Sequence, residues 1–212
     1  MKLREFSHIL AAILIFTAIG SFSFLVDSQW FMLPRVLLFA TIIIFISILA
    51  KKIMASLLDT DVEHEIWNVS RYGIIKHQKL NKEIPGGIIF PLLFSLFTLG
   101  FVKFAAFITY EARALKRRAA KRFGFYSYTE VTEWHNGLIG AAGIISLFIV
   151  ALIAYFLPYS LEYFSKLTIY YAISNLIPIS KLDGTQIFFG SKTLWTALAL
   201  IALIFGAFAF LI

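Results

Sequence analysis

The feature that most constrains this chain is a series of apolar runs, several near or beyond the roughly 18 residues that a bilayer-crossing helix needs. They cover residues 9–26, 31–50, 137–157, 161–179 and 194–212, with a broken apolar region at 84–110. Hydrophobic residues make up 60% of the 212, well above the roughly 45–50% of a soluble domain. Mean hydropathy is +0.84. The polar remainder is too short for a soluble domain of any size. The expected architecture is an all-α integral membrane protein, one domain over residues 1–212, with five to six transmembrane helices.

Charge sorts the connections. Residues 9–50 hold two N-terminal spans and are followed by Lys51-Lys52. A polar segment of mixed charge runs over 59–83. A basic juxtamembrane segment occupies 111–136, with Arg113, Lys116, Arg117, Arg118, Lys121 and Arg122. Basic residues favour the cytoplasmic side. If all six apolar regions crossed, the Arg113 group would fall opposite Lys51. Region 84–110 resolves this by entering and leaving on one side. Its Pro85-Gly86-Gly87, Pro91, Gly100 and Lys103 suit a re-entrant element buried in protein. The alternative is six crossings with the charge rule poorly obeyed. In the re-entrant version the N-terminus and 59–83 are cytoplasmic and the C-terminus is outside. The core spans at 137–179 then lead into a turn at 180–193 and the last span at 194–212.

Cysteine is absent, which excludes disulfides and thiol chemistry. The net charge of +7 lies beside apolar spans. It therefore points to the lipid bilayer as partner and not to nucleic acid. No small-residue cleavage site follows the first apolar run, so it is read as a retained span.

Polar residues are scarce enough in the spans to stand out. Asn175-Leu176-Ile177-Pro178-Ile179-Ser180-Lys181-Leu182-Asp183-Gly184 closes an almost wholly apolar run. Pro178 removes a backbone donor and suits a helix break. Asp183-Gly184 suits a turn. A carboxylate at a membrane edge is expensive and usually has a function. The stretch resembles the Asn-Pro…Leu-Asp-Gly motif of the site-2 protease family of intramembrane zinc metalloproteases. The similarity extends over about residues 61–192. Residues 95–106 resemble the membrane-inserted hairpin of that family, and Gly137-Leu138-Ile139-Gly140-Ala141-Ala142-Gly143 resembles the start of its next core span. The resemblance implies a site-2 protease-like core, zinc as cofactor and Asp183 as a metal ligand. It also implies substrate-positioning roles around a polar cleft for Asn175, Pro178 and Gly184.

A zinc protease of the HExxH kind needs two His one helical turn apart and a Glu as general base. Of the four His, only His64 precedes a Glu, which makes Glu65 the candidate catalytic residue. Four residues on stands Asn68, a poor zinc ligand. Arg71-Tyr72-Gly73 resembles the segment after the family's motif; anchoring there puts Asp61 and Glu65 at the His positions and Val62 at the base. Neither register completes the site. At helical spacing Asp61, His64, Glu65 and Asn68 share one face. With Asp183 they would form a polar cluster: a relic or altered metal site, or a solvated helix whose charges face water. His64 and Asp183 are the leading metal candidates, and Asp61, Asn68 and His135 weaker ones. His77 is expected at the surface, and His8 is assigned no role.

Three functions remain open. One is a site-2 protease-like protein with lost or altered peptidase activity that binds transmembrane helices of other membrane proteins in the former substrate groove. Another is an active metalloprotease with a non-standard site. The third is a small transporter or assembly subunit, in which Lys103 and Asp183 form a buried-charge pair.

Overall fold

A computed structural model describes residues 3–71, 79–101, 103–115, 131–157 and 161–211. Tyr72, Gly73, His77 and the bases Lys116, Arg117, Arg118, Lys121 and Arg122 lie outside the described residues. The described residues are mostly helical. Among the described residues, four helices are long and apolar enough to cross a membrane: Arg4–Val26, Trp30–Leu57, Glu133–Phe156 and Lys192–Ala209.

Helix α1 (Leu3–Val26) and helix α2 (Leu33–Leu57) form an antiparallel pair. Gly20 of α1 meets Val36 near the start of α2, while Glu5 meets Lys52 near its end. Each buries one stripe at three- to four-residue spacing. On α1 the stripe includes Glu5, Ala12, Phe16 and Ile19; on α2 it runs through Val36, Ala40, Ile44, Ser47, Lys51 and Ala55. Both stripes thus carry a charge at one end of the bundle.

Two small antiparallel sheets of two strands each correct the all-α expectation. Strand β1 (Thr60–Ile66) pairs with β4 (Ile108–Ala114), and β2 (Val69–Arg71) with β3 (Lys79–Ile84). The cause lies in the alternation of residues 60–66. Thr60, Val62 and His64 are buried, whereas Asp61 is exposed and Glu63 and Glu65 are half-buried. That period of two, with β-branched Thr60, Val62 and Ile66, favours a strand. Asp61, His64, Glu65 and Asn68 therefore do not share a helix face. Glu63 stands opposite Glu111 across the ladder, and Arg113 bridges the two carboxylates at 3.3 and 3.6 Å.

From β3 the chain enters α3 (Gly86–Phe97). Its 12 residues span about 18 Å, short of the roughly 30 Å of a hydrocarbon core. Leu99 and Gly100 turn the chain with positive φ of 49° and 81°. There the tip rests on Phe22 and Ser23, toward the far end of α1. Residues 103–107 then lead back to β4. Ala105 N–H donates to Ser174 Oγ at 2.9 Å, and Trp67 N–H to the Phe107 carbonyl at 2.9 Å. Gly87 N–H donates to the Trp67 carbonyl at 2.8 Å, and its Cα lies so close to the Phe107 carbonyl that a Cβ has no room. The hairpin therefore starts and finishes at the sheet.

Helix α4 (Glu133–Phe156) is capped by Thr132, whose side chain accepts from His135 N–H. Helix α5 (Glu162–Leu176) runs back along it, with Ser165 Oγ donating to the Ala151 carbonyl at 2.8 Å. A break leads to α6 (Asp183–Gly190) and then α7 (Lys192–Leu211). Trp195 Nε1 donates to the Leu176 carbonyl at 3.0 Å, and Ala209 packs beside Ile169, so α7 is antiparallel to α5. In the centre, the rings of Phe16, Phe107 and Tyr171 lie 5.3 to 6.2 Å apart and join α1, the returning hairpin and α5.

Candidate functional site: a buried ion pair beside His64

Helix α5 ends at Leu176, and Pro178, Ile179, Ser180 and Lys181 are exposed in the break that follows. Ser180 takes a φ of 54°. The chain then folds back so tightly that the Cα of Gly184 lies against the Leu176 carbonyl, where a Cβ cannot fit. This close approach turns Asp183, the first residue of α6, into the bundle with 1% exposure. Its Oδ2 lies 2.5 Å from Lys51 Nζ, and both side chains are 2% exposed. The Lys51 stem passes over Gly143, where an added Cβ would stand 2.6 Å from Cε. Its ammonium sits 5.1 Å from the centre of the Tyr110 ring. The Tyr110 hydroxyl donates to the Asn136 carbonyl at 2.6 Å, and the Tyr110 carbonyl accepts from Gln186 Nε2 at 3.1 Å.

His64 stands directly across the ladder from Tyr110, on the inward face of β1. Its Nδ1 is 3.2 Å from Glu5 Oε1, which also pairs with Lys52 Nζ at 2.8 Å. Burial first, and then the positive charge of Lys51, push the imidazole down to about 3, against the opposing pull of Glu5. His64 is therefore neutral at ordinary pH. Donation from Nδ1 to Glu5 leaves Nε2 as an acceptor. That Nε2 is buried with no hydrogen-bond partner, and so is Asp183 Oδ1.

Asp183 thus pairs with the Lys51 ammonium, and His64 stands across the ladder from the tyrosine whose ring that ammonium overlies. The other sequence candidates are placed differently. Glu65 follows His64 on β1 and is half-buried where His64 is buried. With Glu63, His8, Arg4 and Arg113 it borders a polar cleft of about 190 Å³ that also touches Glu5 and His64. Asp61 is exposed and Asn68 sits half-buried between β1 and β2. His135 is bonded through Nδ1 to Thr132 Oγ1 at the first turn of α4. Asn175 is buried and donates to the Tyr171 carbonyl at 2.8 Å and the Ala105 carbonyl at 3.4 Å, holding the hairpin against α5.

The Lys103–Asp183 pair is corrected as well. Lys103 Nζ donates to the Tyr163 hydroxyl at 3.2 Å, and Asp183 is paired with Lys51. Among the described residues, no three His, Asp or Glu side chains converge as a metal requires. Lys51 holds one Asp183 oxygen and Glu5 engages His64 Nδ1, which leaves Asp183 Oδ1 and His64 Nε2 as the unpartnered atoms of the two leading candidates.

Lys51, Glu5 and Tyr110 are the residues that sequence reasoning missed. A signal for the first two was present. Both continue the buried three- to four-residue stripe of their helices, where a charge signals an internal partner.

No family model, curated protein or solved structure matches this chain.

Proposed function

We propose that this chain is a polytopic membrane protein of site-2 protease-like architecture that lacks peptidase chemistry and binds transmembrane segments of other membrane proteins. The Lys51–Asp183 ion pair carries the reading. The Asp of the Leu-Asp-Gly turn faces a buried cation, as the resemblance implies for a ligand, but that cation is a side-chain ammonium. An internal lysine satisfies the carboxylate electrostatically and offers neither an exchangeable site nor a bound water to activate.

The topology supports the same reading. α1, α4 and α7 run from the sheet end, α2 and α5 run toward it, and the α3 hairpin enters and leaves there. In a bilayer this gives five crossings and one re-entrant element, with α5 and the break after it making the short crossing. Arg4, Lys51, Lys52, Arg113, Lys181 and Lys192 gather at the sheet end, which supports a cytoplasmic position for that end.

A groove of about 840 Å³ lies between the hairpin and the break after α5, lined by Trp67, Phe90, Phe94, Phe104, Ile177 and Ile179 among others. Its apolar walls, with the buried unpaired Trp67 Nε1, suit an apolar segment that brings an acceptor such as a carbonyl.

Elemental analysis of the purified chain tests the chemistry. Zinc is expected far below one per chain and unchanged in Asp183→Ala; stoichiometric zinc lost in that variant would establish the metalloprotease instead. Photo-crosslinkers at Phe94 and Ile179 in native membranes test the groove. Adducts are expected on apolar segments of membrane proteins, and adducts on lipid alone would remove the binding role.

A further inference from the structure

At the other end of the bundle, Lys103 follows the hairpin tip and projects toward α5. Its Nζ lies 3.2 Å from the Tyr163 hydroxyl and 4.8 and 5.9 Å from the ring centres of Tyr163 and Tyr170. The Tyr163 hydroxyl itself donates to the Gly20 carbonyl, so its lone pair is what Lys103 uses. Tyr163, Lys166 and Tyr170 are spaced three and four residues apart and share one face of α5. Lys166 thus lies on α5 between the two tyrosines whose rings the Lys103 ammonium approaches. Lys166 pairs with Glu162 at 2.8 Å, whereas no carboxylate of the described residues pairs with Lys103. Lys103, Tyr163, Lys166 and Tyr170 are all partly exposed. An ammonium in apolar surroundings is normally matched by an opposite charge. The two ammonium groups are the donors suited to an anionic oxygen.

We propose that Lys103 and Lys166, with the Tyr163–Tyr170 face of α5, bind the phosphate of an anionic phospholipid in the leaflet opposite the sheet. The lipid supplies the missing counter-charge and ties the hairpin tip to α5. A zwitterionic headgroup brings its own cation toward the two lysines and is the poorer match. Leu99 and Phe101, 69% and 84% exposed at the tip, give the acyl chains apolar surface beside the headgroup.

Native mass spectrometry of the chain in detergent, mixed with phosphatidylglycerol or phosphatidylcholine, tests this. Phosphatidylglycerol is expected to stay bound in preference, and Lys103→Met to reduce its retention by on the order of fivefold, the worth of one basic group near anionic lipid. Lys103→Arg should retain it, and Lys166→Met should weaken it with Tyr163 and Lys103 intact. Circular dichroism and thermal unfolding of each variant confirm that loss of lipid is not loss of fold. Equal retention of the two lipids, or unchanged retention in a folded Lys103→Met, would overturn the site. Displacement of phosphatidylglycerol by equimolar inorganic phosphate would overturn the assignment to a lipid.

Discussion

Lys51 shows how much one side chain can decide. A buried ion pair adds little net stability, yet removal of one partner strands the other in a medium that solvates it poorly. Lys51→Met should therefore destabilise the chain by on the order of 3–5 kcal/mol. Lys51→Met combined with Asp183→Leu should recover much of that loss, because neither charge remains. Chemical unfolding in detergent measures both, and a fully stable single variant would show that the pair does not hold the bundle together. His64 makes a separate pH prediction. Its folded-state value of about 3 lies below the ordinary 6.5, so the unfolded chain takes up a proton first as pH falls. Stability should be full above about pH 6.5 and decline from there toward pH 3, and His64→Gln should flatten that decline. A decline of equal slope in His64→Gln would assign the acid sensitivity elsewhere. At this scale the sequence was legible in part. Asp183 and Gly184 stood out because an Asp-Gly beside an apolar run has few structural uses. Lys51 was hidden because Lys51-Lys52 also looks like an ordinary flank of positive charge. Only Lys51 is buried; Lys52 is 35% exposed beside it.

Among elements, those with long single-period signals were legible and those built from long-range pairing were not. The apolar spans at 9–26, 31–50 and 137–157 correspond closely to α1, α2 and α4, since a run of that length has one stable solution in lipid. Strand β1 was lost to helical spacing. Asp61, His64, Glu65 and Asn68 fit a helix face by position, but the alternation of Thr60, Val62 and His64 needed β4, more than forty residues later, to be realised. The hairpin was suggested by its Pro and Gly residues, and the structure assigns a specific use to two of the glycines in the site's framework. Gly87 lets α3 lie on the Phe107 carbonyl, and Gly184 lets α6 lie on the Leu176 carbonyl. Neither neighbour is a flexible side chain that could move aside. Ala at either position should cost roughly 1–3 kcal/mol through overpacking. The two variants should differ in where they loosen. Gly87→Ala should raise hydrogen exchange in residues 104–107, and Gly184→Ala around Asp183. Uniform loosening in both would mean that hairpin and turn are not separately anchored.

At the scale of the molecule, every apolar element except the hairpin advances from one end of the bundle to the other. The hairpin returns because its helix is too short to cross and its second limb is held beside α5 by Ser174 and Asn175. A unidirectional passage of residues 84–110 would separate β1 from β4, since Ile66 and Ile108 pair at one end of their ladder. Sheet register and membrane topology are therefore a single constraint. The absence of cysteine makes this directly testable. Single cysteines at Glu83, Arg113 and Lys181 should all react with a membrane-impermeant maleimide from one side of sealed vesicles. One at Ser28, in the exposed turn between α1 and α2, should react only from the other. One at Leu99 should react weakly from either side, because the hairpin tip lies among apolar surroundings against α1. Labelling of Glu83→Cys and Arg113→Cys from opposite sides would make the hairpin a true crossing. The β1–β4 ladder could not then form, and His64 would lose the strand that sets it beside Tyr110 and Lys51.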